Sequence, residues 1–115
     1  MSQTREEREA AARARMAELA AKFVARTTEE VGSMRAQLAK HSAGDPQALA
    51  ELRNLAHRTC GTGATLGFET LADCAQRVEQ LAGSRAPDSA PTSEVLEQIG
   101  KAIDVLDAEL ARVKE

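Results

Sequence analysis

Apolar residues recur along this chain at helical spacing, and nowhere do they alternate as a half-buried strand requires. The clearest run is Leu96, Ile99, Ile103, Leu106, Leu110 and Val113, whose steps of 3, 4, 3, 4 and 3 mark the seam of a bundle helix capped by Thr92 or Ser93. At the other end, Thr4 and Glu7 form a capping-box pattern ahead of an Ala-rich charged segment. A narrow stripe of Met16, Leu19, Phe23 and Val24 follows, then Val31, Met34 and Leu38. A second capping-box pattern, Thr27 with Glu30, predicts a break or bend near Arg26–Thr28 in a helix over about 5–41. His41-Ser-Ala-Gly-Asp-Pro46 supplies a glycine stop, an Asp cap and a first-turn proline, so the next helix is expected from Pro46 to about Leu66, ended by Gly67. Another is expected over Phe68 to Ala82, ended by Gly83, and Gly83 to Pro91 reads as the one real loop. The pattern predicts an all-α fold: an antiparallel four-helix bundle with an additional N-terminal helical segment. The charged extension is expected over residues 1–15 and the bundle domain over 16–115.

Composition narrows this further. The 115 residues suit one domain, and 23 alanines against 21 Leu, Ile, Val and Phe imply a slim core with closely approaching helices. A formal charge of −3 is too small for a self-repelling disordered chain. No apolar run reaches a membrane-spanning length, and MSQTREEREA makes no secretory signal, so a cytoplasmic protein with reduced thiols is expected. The acidic balance and the lack of Trp and Tyr disfavour nucleic-acid binding. Cys60 and Cys74 match no zinc spacing, and no metal or cofactor of the chain's own is expected.

The informative stretch is residues 52–80. At about 100° per residue, Leu55, Ala56, Thr59, Gly63 and Leu66 all fall within about 60° of Leu52, while His57 falls about 140° away, towards solvent. Its strip carries Ala50, Asn54, Gly61 and Ala64, where a soluble helix ordinarily carries Glu, Lys or Gln. Gly61 costs about 1 kcal/mol relative to Ala in a helix, and Gly63 repeats that cost. A glycine one turn from the imidazole removes the side chain that would shield it, so a large partner can reach the nitrogen. Neutral imidazole is a good nucleophile near pH 7. No carboxylate or second histidine on the strip serves as a base, which argues against hydrolysis. Accepting a phosphoryl group demands mainly positioning and charge stabilisation, with arginine pairing the phosphate oxygens. Arg53, nearer the histidine in angle, and Arg58 are the candidates for that contact. His41, in a helix-terminal segment, reads as structural.

The run Leu55-Ala-His57-Arg-Thr-Cys-Gly61-Thr-Gly-Ala-Thr-Leu-Gly67-Phe resembles the histidine-containing phosphotransfer (HPt) domain motif, and Leu71-Ala-Asp-Cys-Ala-Gln-Arg-Val-Glu79 is similar to its following helix. The resemblance is dense over 49–82 and architectural over about 16–113. It implies a four-helix bundle that relays a phosphoryl group between aspartates of receiver domains, with His57 as the phosphorylated residue. The expected protein is a monomeric phosphocarrier without catalytic activity of its own. It would partner response-regulator receivers or a hybrid sensor kinase, would bind no nucleic acid or membrane, and would rely on Mg²⁺ held by the receiver. Docking is expected on Ala50, Asn54, Gly61 and Ala64. Many members carry Lys three residues after the histidine, where this chain has Cys60. That departure keeps a rival in view, a bundle that binds and inhibits a receiver or kinase without carrying phosphate. A third reading is a redox- or metal-responsive bundle using His57, Cys60 and Cys74.

Overall fold

Local chemistry sets the helix boundaries. The computed structural model describes residues 4–83 and 91–115, and these form α1 (Arg5–Ser42), α2 (Ala48–Thr65), α3 (Glu69–Gly83) and α4 (Ser93–Lys114), with no strand among the described residues. Thr4 caps α1 reciprocally: its hydroxyl accepts from the Glu7 amide at 3.1 Å while Glu7 Oε2 accepts from the Thr4 amide at 3.4 Å. Thr92 caps α4 through the Val95 amide. α1 and α2 both close with a left-handed glycine, Gly44 (φ 102°) and Gly67 (φ 86°). In each case two amides fold back on the last carbonyls, Gly44 on His41 and Asp45 on Lys40, then Gly67 on Ala64 and Phe68 on Gly63. Of the loop expected over Gly83 to Pro91, residues 84–90 lie outside the described residues.

Two expectations fail locally. Of the break or bend expected at Arg26–Thr28, the break is absent, and α1 runs unbroken from Arg5 to Ser42. Thr28 donates back to the Val24 carbonyl at 2.9 Å and Thr27 turns into the core, so both threonines are absorbed in a helix held by Phe23, Val31 and Met34. Glu30 therefore caps nothing; it pairs with Arg26 at 3.3 Å and lies 2.7 Å from the Thr59 hydroxyl. Pro46 is likewise not the first residue of α2. Asp45 Oδ1 accepts from the Gln47 amide at 2.9 Å, which makes a turn and delays the helix to Ala48.

Each helix packs on two neighbours in a closed ring, α1 on α2, α2 on α3, α3 on α4 and α4 on α1. Short connections between α1, α2 and α3 alternate their directions, as in an antiparallel bundle. The α4 seam is buried as its spacing predicts at Ile99, Ile103, Leu106 and Leu110, with Leu96 and Val113 half-buried at its ends. Phe23 stacks on Phe68 with ring centroids 5.3 Å apart and closes the core near the α2–α3 turn. α1 outruns that core. Its 38 residues span about 57 Å, against about 27 Å for the 18 of α2, and its first buried residue is Phe23. Met16 and Leu19 continue the stripe on the overhang but stay 49% and 43% exposed.

One core position is imperfect. The Thr27 hydroxyl is buried with no hydrogen-bond partner among the described residues. Thr27→Val keeps the shape and removes the unpaired group, so chemical denaturation should show a gain of about 1 kcal/mol. A loss of that size would mean that the hydroxyl has a partner.

Candidate functional site

α2 is built to sit low against its neighbours on one side and stay bare on the other. Its buried face is Leu49, Leu52, Leu55, Ala56, Thr59 and Gly63, as the periodicity requires. The two mid-helix glycines do different work. A methyl group at Gly63 would meet Phe23 at 3.3 Å and Ala72 at 3.5 Å, so Gly63 lets α1 and α3 approach. At Gly61 a methyl group would meet nothing within 4 Å among the described residues. The helix carries an open position one turn beyond His57, with no packing reason for it.

His57 projects from that bare side, 74% exposed in its side chain. Its Nδ1 lies 2.8 Å from Oε1 of Glu79, a carboxylate presented by α3 and itself only 22% exposed. A carboxylate only accepts, so in the neutral ring Nδ1 carries the proton and Nε2 the lone pair. A base-side partner, absent from the histidine's own strip, is thus supplied by the neighbouring helix. Sequence reasoning did not assign Glu79 this part. The available signal was the α2–α3 hairpin, whose turn at Gly67 brings residues ten before it near residues about as far beyond.

The predicted arginines fall on opposite sides of the ring. Arg58 lines a groove of about 460 Å³ together with His57, Gly61, Thr62 and Thr65 of α2 and Arg26 of α1. Arg53 lines a separate groove with Gln76, Glu79 and Gln80, and its guanidinium lies over Gly83, within 3.1 Å of where a side chain would begin. Ala50, Asn54, Gly61 and Ala64 are all exposed along α2.

The two thiols are free and half-buried. Burial pushes both upward from their ordinary pKa, with Glu79 and Asp73 adding to the effect at Cys60 and Glu109 and Asp73 at Cys74. Both therefore favour the protonated, weakly nucleophilic form. Among the described residues no three His, Cys, Asp or Glu side chains converge as metal ligands would. No described helix is long and apolar enough to cross a membrane.

Chemically, the site offers one oriented imidazole with an available lone pair, a carboxylate behind it and cations beside it. A family model described as the Hpt domain matches residues 18–115. No curated protein and no solved structure matches the chain.

Proposed function

The chain belongs to the Hpt domain family, whose members serve histidine phosphotransfer in phosphorelays, and from that premise we propose that His57 is its phosphoacceptor. The observation that carries the assignment is the 2.8 Å contact from Nδ1 to Glu79, on a ring exposed beside an uncovered Gly61. Nε2 attacks the phosphorus of an aspartyl phosphate on a receiver domain. The Nε2–P bond forms as the P–O bond to the aspartyl carboxyl breaks, and the electron pair leaves with that carboxylate. Mg²⁺ held by the receiver offsets negative charge on the oxygens. The ring gives up its lone pair, keeps its Nδ1 proton and becomes cationic, and the Glu79 carboxylate compensates that charge. Transfer to a second receiver reverses each step. No proton changes hands, which suits a site with no second titratable group on its own strip. On this reading the protein is a phosphocarrier that works in the cytoplasm and relies on the receiver's Mg²⁺.

Arg58, beside the ring in the α1–α2 groove, is suited to the phosphoryl oxygens in place of the family's lysine, absent here at Cys60. Arg53 approaches from the Glu79 side. The same absent lysine favours a second reading, a bundle that binds a receiver without being labelled. Incubation with a ³²P-labelled phospho-receiver tests both. Label that is lost in acid and survives alkali supports phosphohistidine, whereas binding without label supports the inhibitor.

Glu79 gives a graded check. Glu79→Ala removes both orientation and charge compensation and should slow single-turnover transfer about tenfold, the equivalent of a hydrogen bond to a charged group. Glu79→Gln still offers an oxygen to Nδ1 and should lose less. Equal rates for all three proteins, with circular dichroism unchanged, would remove Glu79 from the mechanism.

A further inference from the structure

The surroundings of His57 are unequal in charge. Towards α1 the ring shares its groove with Arg26 and Arg58, and Arg26 is paired with the largely covered Glu30 at 3.3 Å; towards α3 its neighbour is the Glu79 carboxylate, whose groove also holds Arg53. Arg26 is also the inner end of a longer feature. Lys22, Arg15 and Arg8 precede it at steps of 4, 7 and 7, which at about 3.6 residues per turn keeps all four on one strip of α1. All four are exposed. Lys22 pairs at 3.3 Å with the exposed Glu18, a weak surface pair that a partner's carboxylates can replace, whereas the exposed Arg26 leans at 3.3 Å on Glu30, a largely covered carboxylate that also accepts from Thr59. Beside the strip lie Met16 and Leu19, the two large apolar residues that the overhang leaves uncovered.

The phosphodonor has a chemistry that fits this strip. A partner that carries an aspartyl phosphate and holds Mg²⁺ must present carboxylates around its reactive group, because Mg²⁺ takes oxygen ligands. Such an acidic face is attracted more on the α1 side, where Arg26 and Arg58 outnumber Glu30, than on the α3 side, where Arg53 only balances Glu79. We infer that the phosphodonating receiver docks across the α1–α2 groove and that its contact continues along the α1 overhang. The cationic strip steers the approach, and Met16 and Leu19 supply an apolar foothold more than two turns from the chemistry. This rests on the phosphocarrier reading and adds to it a direction of approach and a second contact region outside the reactive centre.

The test uses the full chain and the receiver domain that labels it fastest among those of its own genome. Transfer is compared for the unsubstituted chain, Arg15→Glu/Lys22→Glu, Met16→Ser/Leu19→Ser, and a control, Arg77→Glu/Lys101→Glu, on the opposite α3–α4 groove. Labelling by phosphoramidate, which needs no docking, is run beside each. Both α1 variants should raise KM for the receiver, the charge reversal by about tenfold or more, with kcat and phosphoramidate labelling unchanged. The charge reversal should also flatten the salt dependence, and the control should leave KM alone. Unmoved KM in both α1 variants, or an increase confined to the control, overturns the inference. So does an α1 variant that changes the sedimentation of the chain by itself, since the stripe would then belong to a second copy. If neither donor labels the unsubstituted chain, the phosphocarrier reading itself falls. Labelling with KM unmoved removes only the docking direction.

Discussion

His57→Gln should remove all acid-labile label from the protein while leaving helix content and stability as they were. The side chain is 74% exposed and its hydrogen bond among the described residues reaches a single carboxylate, so little of the fold depends on it. Glutamine keeps a polar side chain of similar reach and can still meet Glu79 through its amide NH₂. What it lacks is a nitrogen lone pair able to displace a carboxylate from phosphorus. The effect is therefore all-or-none, unlike the graded loss expected at Glu79. It is read by gel autoradiography after transfer from a phospho-receiver, with thermal unfolding measured on the same preparation. Label of undiminished strength in the variant would assign acceptance to another residue.

Gly61→Leu should separate function from stability in opposite directions. A helical side chain lies over the turn N-terminal to its own Cα, which from position 61 means over His57. A Cβ at that position meets nothing within 4 Å among the described residues, and leucine replaces a residue costing about 1 kcal/mol in a helix. The melting temperature should rise by a few degrees, while transfer from a receiver falls about a hundredfold as the approach to Nε2 is displaced. Gly61→Ala should keep most of the stability gain and lose much less transfer. Full transfer by the leucine variant would show that the partner does not pass over this turn. The same substitution at Gly63 would instead strike Phe23 and Ala72 and report on packing alone.

The frame of the bundle was readable because its signals are local. Gly44 and Gly67 stop helices where a left-handed residue is needed, and the 3–4 spacing from Leu96 to Val113 marks one buried face. His57 was readable for a similar reason, since angle alone sets it opposite Leu52. Features that depend on a second helix were not. Glu79 lies 22 residues beyond His57, and no period within α2 or α3 connects them. Angle alone sets Gly63 on the buried face and Gly61 on the bare strip, but that Gly63 makes room for Phe23 and Ala72 could not be read within α2. Arg26 was overlooked for the same reason, as it reaches the His57 groove from α1. The threonine pair at 27–28 misled in the other direction. Its local preference for a break gave way to burial of one face of α1, the ordinary outcome when tertiary packing competes with propensity.

The unequal helix lengths also govern how the molecule moves in solution. Its radius of gyration is 17.3 Å and its extents are 62 × 27 × 19 Å, whereas a compact chain of this length has a radius near about 13 Å. A rod-like body of 12.3 kDa tumbles and diffuses as a heavier sphere would. On a gel-filtration column calibrated with compact proteins, this shape by itself moves elution towards the mass of a larger assembly. Subunit number for this protein is therefore a question for light scattering, which weighs the particle without reference to its outline.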